Sequence, residues 1–155
     1  MARLSVDFYS TSLMRTTTLD VILPTDCPGD AMGFDYMRRQ DPASWDRTPM
    51  PAEKPPFKAL FLLHGISGNH TDFMSETRIR TFAEERGLAV IMPSGYNAFY
   101  LDHPETHNFY GRYVGLELVE AARRMFPISR RREDTFIGGI SMGYFITRKA
   151  WKDPE

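Results

Sequence analysis

Two stretches near the start of the chain have hydrophobic and polar residues in patterns typical of strands. The alternation over residues 4–9 and the β-branched run over residues 16–23 each predict a strand, because successive side chains of a half-buried strand point to opposite faces. Pro24 and the Pro28-Gly29 pair that follow are turn signals. We therefore expect the first two strands to form a hairpin-like pair.

Short apolar runs later in the chain predict strands of a different kind. Residues 57–63, 88–92 and 135–140 are apolar without alternation, which is typical of strands buried on both faces of a parallel sheet. The first of these runs ends at His64-Gly65 and the second at Pro93.

Two segments between these strands have helical spacing. A helix is predicted from Asp72 or Ser75 to about Arg86, with Gly87 as its stop. Its inward face would hold Ile79, Phe82 and Ala83. A second helix is predicted over residues 113–126, before Pro127, with one apolar side formed by Val114, Leu118, Ala121, Ala122 and Met125. Alternating strands and helices predict parallel pairing through right-handed crossovers, and hence an α/β sandwich.

Two other segments lack a period. Residues 29–56 are rich in Pro, Asp and Arg and predict a long connecting loop, to which we assign no role. Residues 94–111 predict an aromatic loop that carries Tyr96, Phe99, Tyr100, Phe109 and Tyr110.

Composition narrows the possible partners. The 155 residues, 42% hydrophobic and 25% charged, suit one globular domain. A net charge of -1 provides no basic patch for nucleic acid or an anionic membrane. The first residues lack the apolar core of a signal peptide, and a single cysteine, Cys27, cannot form an internal disulfide. We expect a cytoplasmic protein without nucleic-acid or membrane partners.

The strongest chemical signal is a G-x-S-x-G motif directly after the third apolar run. In the sequence Gly139-Ile140-Ser141-Met142-Gly143, the serine would occupy a tight strand-to-helix turn, and the glycines would remove side chains that collide there. At about 7% each of Gly and Ser, the motif occurs by chance in roughly one chain in twenty of this length. The alternative is a glycine-rich turn, residues 138–143, of an unrelated α/β fold.

A nucleophilic serine also needs groups that stabilise the oxyanion formed on attack. One backbone amide would come from His64-Gly65-Ile66, where an earlier strand ends, and the other from Met142, just after the nucleophile. Met142 would also begin a helix, whose dipole favours negative charge.

A serine nucleophile further needs a histidine to take its proton, and the usual chain order after the elbow is acid and then histidine. No histidine follows Ser141. His64 is a candidate for a relocated base, although a structural role is the simpler interpretation, and we expect His70 to be a loop residue. His103 and His107 have the spacing of a helical zinc pair, but Pro104 between them favours an exposed loop.

Residues 58–143 resemble the tributyrin esterase family, α/β-hydrolase carboxylesterases related to S-formylglutathione hydrolase and esterase D. The resemblance is carried by FLLHGISGNHTDF, AVIMPSGYNAFYLD and YGRYVGLELVEAARRMFPISRRREDTFIGGISMG. It implies a single α/β-hydrolase domain over residues 1–155 with a mostly parallel sheet. It also implies Ser141 as nucleophile, the amides of Ile66 and Met142 as oxyanion hole, and short-chain acyl esters as substrates, without a metal or organic cofactor. The aromatic loop would lie near the acyl pocket, where its rings either shape the site or pack on the core.

The resemblance ends after Gly143. The family continues with small residues that pack beneath the elbow, whereas this chain has Tyr144-Phe145-Ile146. The family's catalytic Asp and His lie further along and match no residue here, since Asp153 and Glu155 are better interpreted as solvated charges. Our hypothesis is an N-terminal fragment, or the product of a truncated or frame-shifted gene, with the fold cut after the elbow.

Two classes of function follow. The first is a serine carboxylesterase with an acyl-enzyme at Ser141. The second is a catalytically incomplete or non-catalytic chain that retains half of the fold as an interaction subunit. In either class we expect residues 135–140 to leave an open sheet edge, and hence self-association or pairing with a missing C-terminal segment.

Overall fold

The computed structural model describes residues 2–24 and 56–146. In these residues the strands are β1 (Ala2–Ser10), β2 (Arg15–Leu23), β3 (Lys58–Leu63), β4 (Leu88–Pro93), β5 (Asp102–His103), β6 (Asn108–Phe109) and β7 (Thr135–Gly139). Five of them form one sheet in the order β1-β2-β4-β3-β7, while β5 and β6 form a small separate pair.

The main sheet is mixed. β1 and β2 pair antiparallel along their whole length, which confirms the predicted hairpin-like pair. β2 is also antiparallel to β4. β3 lies between β4 and β7 and is parallel to both, with Leu60 opposite Val90 on one side and Phe136 on the other. The parallel part of the expected α/β architecture is therefore confirmed, with an antiparallel hairpin added at one side.

Apolar side chains alternate between the two faces of the sheet. Val21, Phe61 and Ile91 belong to a larger core on one face. Ile22, Val90 and Met92 belong to a smaller core on the opposite face. Because a strand's side chains alternate in direction, a continuous apolar run supplies both cores at once.

Helices cover these two faces. They are α1 (Asp72–Glu76), α2 (Ile79–Glu85), α3 (Tyr110–Arg112), a π-helical segment (Tyr113–Glu117) and α4 (Leu118–Met125), with 3-10 turns at Pro104–Thr106 and Arg132–Asp134. Phe73, Ile79 and Ala83 pack in the smaller core, and Val114, Leu118 and Ala122 pack in the larger one.

The expectation of a single helix over residues 72–86 is wrong, because this segment forms two helices, α1 and α2. Thr77 adopts an extended backbone with φ -134° and ψ 170°. Its hydroxyl donates to the Phe73 carbonyl at 2.5 Å and accepts from the Ile79 amide at 3.1 Å. A threonine hydroxyl can replace backbone hydrogen bonds in this way. Gly87 does end α2, with φ 58°. Phe82 is 46% exposed rather than inward.

The second predicted helix is confirmed, although it differs in detail. It begins at Tyr110 rather than residue 113, because Tyr110 and Tyr113 are both buried and extend its inward face. The π-helical segment within it widens one turn. Met125, expected on the apolar side, is 41% exposed at the last turn.

The expectation that residues 135–140 form a strand buried on both faces is wrong. β7 is a half-buried strand in which Phe136 is 43% exposed. Among the described residues it pairs with β3 alone, so one edge and part of both faces lack neighbours. β4 is buried as expected, whereas Leu60 and Leu62 of β3 are half-buried.

Several sequence predictions fall outside the described residues. These concern the loop over residues 29–56, whose Pro56 alone is described, and the positions of Cys27, Asp153 and Glu155. Within the described ranges, no helix has the length and apolarity needed to span a membrane.

Candidate active site

Ser141 lies at the turn between β7 and a helical stretch over residues 142–146. The Ile140 amide donates to the Leu63 carbonyl at 3.1 Å, which extends the β3–β7 pairing by one residue. Ser141 then turns the chain with φ 52°, and the Gly143 amide closes the turn by donating to the Ile140 carbonyl at 2.9 Å. A serine with positive φ at this position is the backbone strain typical of a nucleophile elbow.

The two motif glycines allow the strands and the turn to approach closely. A Cβ added at Gly143 would lie 2.4 Å from the Leu63 carbonyl oxygen, and one added at Gly139 would lie 2.6 Å from the Gly143 carbonyl carbon. Both distances are shorter than the non-bonded contacts that Cβ atoms make in proteins. The requirement for glycine at these positions therefore comes from neighbouring backbone, which cannot move aside as a side chain can.

The loop after β3 lies directly beside the nucleophile. A Cβ added at Gly65 would come to 3.4 Å from the Ser141 Cβ. The loop closes where the Gly68 amide donates to the Gly65 carbonyl at 3.2 Å, and the Ser67 amide donates to Asn97 Oδ1 at 2.7 Å. In the described parts of the chain, no acceptor is found for the amides of Ile66 or Met142. Both remain available as donors.

A cavity of about 270 Å³ opens in front of Ser141. Its lining combines apolar side chains with two carboxylates, and comprises His64, Gly65, Ile66, Asp72, Phe73, Glu76, Thr77, Ile140 and Ser141. Ser141 itself is exposed, and its hydroxyl forms no hydrogen bond with a described residue. The arrangement presents a free hydroxyl to a small ligand.

His64 is buried, and both of its ring nitrogens are in use. The Gly95 amide donates to Nε2 at 2.8 Å, so the proton is assigned to Nδ1, which lies 2.6 Å from the Gly65 carbonyl oxygen. Burial lowers the pKa of His64, although the Gly65 carbonyl acts in the opposite direction. A neutral imidazole with both nitrogens engaged ties the loop after β3 to the loop after β4. The only lone pair of this tautomer is on Nε2 and already accepts from Gly95, so none is left to take a proton from Ser141, and the geometry favours the structural role.

The other histidines do not line the Ser141 cavity. His70 Nδ1 lies 2.7 Å from Ser94 Oγ. His103 and His107 flank the 3-10 turn that begins at Pro104, and His107 has φ 52°. They therefore do not form a helical pair. Among the described residues, no three His, Cys, Asp or Glu side chains cluster closely enough to hold a metal.

The sequence did not reveal how several residues hold the loops around the site. Asp72 Oδ1 accepts from the Asn69 amide at 3.1 Å, and Asn97 holds Ser67 as described above. Tyr100 is fully buried, and a Cβ added at Gly95 would lie only 2.2 Å from its ring. The Asn69-to-Asp72 spacing resembles a helix capping pair and could have been found in the sequence. Tyr100 was expected in the aromatic loop, and of the two roles considered it packs on the core, whereas Asn97 acts across the fold and carries no local pattern.

The large residues after the elbow lie differently from our expectation. The closest packing falls on Gly143, while Tyr144 and Phe145 are 56% and 66% exposed. Phe145 contacts Phe99 edge to face, with ring centroids 6.5 Å apart. The bulk at residues 144 and 145 is therefore directed away from the sheet.

Known esterases are similar to this chain over most of its length. An acetyl esterase of Caldicellulosiruptor saccharolyticus is 38% identical over 143 residues, or 92% of this chain and 48% of the relative. The substrate-bound structure of Staphylococcus aureus fluorophosphonate-binding serine hydrolase F matches with a TM-score of 0.70 and 32% identity, over 92% of this chain and 48% of that one. The chain belongs to the esterase and S-formylglutathione hydrolase family of α/β-hydrolases.

Another member of this family, the S-formylglutathione hydrolase of Staphylococcus aureus in its apoenzyme form, matches with a TM-score of 0.68 and 33% identity. It again covers 92% of this chain and 48% of the other. No protein-family profile matches the chain. This chain thus spans about half the length of its family relatives and corresponds to their N-terminal part.

Proposed function

We propose that this chain carries the nucleophile of a serine carboxylesterase that acts on short-chain acyl esters. The observation that carries the proposal is Ser141 with φ 52° between β7 and a helix, beside the Gly65 loop. The names of the relatives, an acetyl esterase and serine hydrolases, support the same reaction class.

In the proposed reaction, Ser141 Oγ loses its proton and attacks the ester carbonyl carbon. The unpaired amides of Ile66 and Met142 would stabilise the oxyanion, since preorganised donors act where charge develops. The alcohol then leaves with the proton taken from Ser141, and water hydrolyses the acyl-enzyme, which releases the carboxylic acid and returns a proton to Ser141 Oγ. A cavity of about 270 Å³ suits a small acyl group.

The proton acceptor is the part of the machinery that the described residues do not supply. All four histidines are described, and the one that lines the cavity, His64, uses both ring nitrogens elsewhere. In subtilisin, loss of the base alone costs about as much as loss of the whole triad, on the order of 10⁶-fold in kcat. We therefore propose that activity requires an acid and a histidine from outside these residues.

The same observation favours a second candidate function. A chain with the elbow but no base could act as a non-catalytic interaction subunit, which retains the fold and the ligand cavity without turnover. The two candidates differ in whether Ser141 can be activated at all.

Labelling with a fluorophosphonate probe distinguishes them. We expect the 155-residue chain alone neither to label nor to hydrolyse p-nitrophenyl acetate measurably, because its serine hydroxyl is unactivated. Addition of a polypeptide that carries the C-terminal strands, Asp and His of a family esterase should restore labelling, and Ser141→Ala should abolish it. Failure of complementation by a partner shown to bind would favour the non-catalytic subunit.

Strong labelling of the chain alone would contradict the assignment of His64 as structural. The variant His64→Ala then decides the question, with His70→Ala as the matched control, because His70 lies outside the Ser141 cavity.

A further inference from the structure

A second cavity lies where the start of β2 meets the aromatic loop. Its volume is about 330 Å³, and it is lined by Arg15 together with six residues of the loop, among them Tyr96, Asn97 and His103. It shares no lining residue with the Ser141 cavity. The proposed esterase reaction does not use it.

Arg15 is held in place by aromatic groups rather than by an acid. Its guanidinium carbon lies 5.2 Å from the centre of the Tyr96 ring and 5.7 Å from that of Tyr110. The guanidinium also donates a hydrogen bond to the Tyr110 hydroxyl. Among the described residues no carboxylate pairs with it. A positioned guanidinium without a counter-charge is a preformed site for an anion.

Neutral polar groups complete the wall of this cavity. Asn97 uses its Oδ1 to accept from Ser67, which leaves its amide hydrogens as donors. His103 Nδ1 lies 3.3 Å from Glu105 Oε1, so a neutral ring that donates there keeps a lone pair, not an N–H, at Nε2. The Tyr96 hydroxyl is a further possible donor, whereas the Asn108 amide already donates to Thr106.

Two acids of the aromatic loop, Glu105 and Asp102, have partners other than Arg15. Glu105 contacts His103, and Asp102 Oδ1 accepts from the amides of Gly111 and Arg112 at 2.7 and 3.1 Å. Neither carboxylate lines the cavity. The cavity therefore offers one full positive charge and two neutral donors, the Asn97 amide and the Tyr96 hydroxyl.

We propose that this cavity binds a small carboxylate. A planar guanidinium matches the two oxygens of a carboxylate, and a single positive charge balances a monoanion, whereas a phosphate dianion would keep one charge uncompensated. A volume of about 330 Å³ leaves room for a short chain attached to the carboxylate. A ligand here would contact Asn97, which holds the amide of Ser67 next to Ile66. This binding does not depend on Ser141 chemistry.

The test is a titration of the full 155-residue chain with sodium butyrate, followed by ¹⁵N amide chemical shifts at pH 7 and constant ionic strength. We expect saturable shifts at residues 95–99 and at the Arg15 side chain, with no comparable shifts from sodium chloride. Non-saturable shifts, or equal shifts from chloride, would overturn the site. Tighter binding of sodium phosphate would overturn its assignment to a monoanion.

Variants connect the binding to the guanidinium. Arg15→Gln should weaken butyrate binding about tenfold or more, because it removes a charge-assisted hydrogen bond. Arg80→Gln removes an equal charge from the exposed face of α2 and should leave the affinity unchanged. Arg15→Lys keeps the charge without the planar group, so we expect intermediate binding, and this variant decides the matter if Arg15→Gln does not fold. Unchanged affinity in both Arg15 variants would refute the proposal.

Discussion

The two outer strands of the sheet have opposite chemistry. β1 directs Arg3, Ser5, Asp7 and Tyr9 to the exterior, whereas β7, with the sequence TFIGG, carries no charged residue. Charged side chains on an edge strand discourage pairing with another chain, and an uncharged apolar edge invites it. The difference indicates that β1 is built as a boundary of the sheet and β7 as an interior strand.

Polar contacts also tie the β1 end of the sheet to the rest of the fold. Arg3 pairs with the buried Asp20 of β2 at 2.8 Å. Glu117 accepts from the amides of Thr11 and Ser12 and from the hydroxyl of Ser10 at 2.6 to 3.0 Å. These bonds tie the β1–β2 turn to the π-helical segment.

At the β7 end, the Thr135 hydroxyl accepts from Arg123 at 3.1 Å, but large apolar side chains are exposed further along the chain. Phe136, Ile140 and Phe145 are each more than 40% exposed there. A cluster of exposed apolar residues is typical of a surface that binds another chain. The candidate nucleophile, Ser141, directly follows β7 on this side of the sheet.

The largest stability difference is expected between the centre of the sheet and the β7 edge. Phe61→Ala should lower the free energy of unfolding by about 3–5 kcal/mol, because it leaves a cavity at a fully buried position. Phe136→Ala removes the same atoms from a residue that is 43% exposed, and should cost less than about 1–2 kcal/mol. Urea unfolding measures both. Equal losses would show that β7 is covered in solution.

Glycine replacement tests the backbone contacts of the elbow. Gly143→Ala should destabilise the chain by about 3 kcal/mol, because the new Cβ would lie 2.4 Å from the Leu63 carbonyl oxygen. Gly115→Ala is the matched control, since a Cβ there meets no atom within 4 Å, and it should stabilise the helix by about 0.5–1 kcal/mol. Thermal unfolding of both variants measures the difference. A neutral Gly143→Ala would contradict the close approach of the elbow to β3.

Glu117 allows a pH-dependent test of the β1 end of the sheet, where it binds the β1–β2 turn. Burial alone would raise its pKa, but hydrogen bonds from Ser10, Ser12 and Thr11 outweigh this and lower the pKa to about 2, from an ordinary 4.5. Because the pKa falls on folding, the stabilisation is complete above about pH 4.5 and is lost as the pH drops toward 2.

We therefore expect Glu117→Gln to cost about 1–2 kcal/mol at pH 7, and less as the pH falls below 4.5. Denaturant unfolding of the chain and the variant between pH 7 and pH 3 measures this change. Glu120→Gln, one turn further at an exposed position, is the control and should show little pH dependence of this kind. A constant difference across this range would contradict the low pKa of Glu117.

Lysine substitutions on the two edge strands should have the smallest effect on stability. They should nevertheless differ in their effect on self-association. Sedimentation at high concentration should show that the chain self-associates through β7. Phe136→Lys should reduce this association, whereas Tyr9→Lys, on the exposed face of β1, should not. A monomeric, cooperatively folded chain at high concentration would refute our account of the β7 edge.

Local sequence patterns were sufficient for much of the fold. The alternation in β1, the β-branched run of β2, the apolar runs of β3 and β4, and Gly87 are all local features of the chain. The break at Thr77 was not predictable from apolar spacing, because a single hydroxyl bonded to Phe73 and Ile79 replaced the helical pattern. The partial burial of β7 depends on which strands lie beside it, and an apolar run in the sequence does not predict those neighbours.

For the candidate site, the sequence by itself determined the identity of the nucleophile motif, since G-x-S-x-G is a local requirement of one tight turn. Tertiary structure decided which groups surround it. It placed Gly65 against Ser141, engaged both nitrogens of His64, and positioned Arg15 between Tyr96 and Tyr110. Such contacts join residues far apart along the chain, so their distances are set by the packing of the sheet and loops and leave no period or spacing to detect.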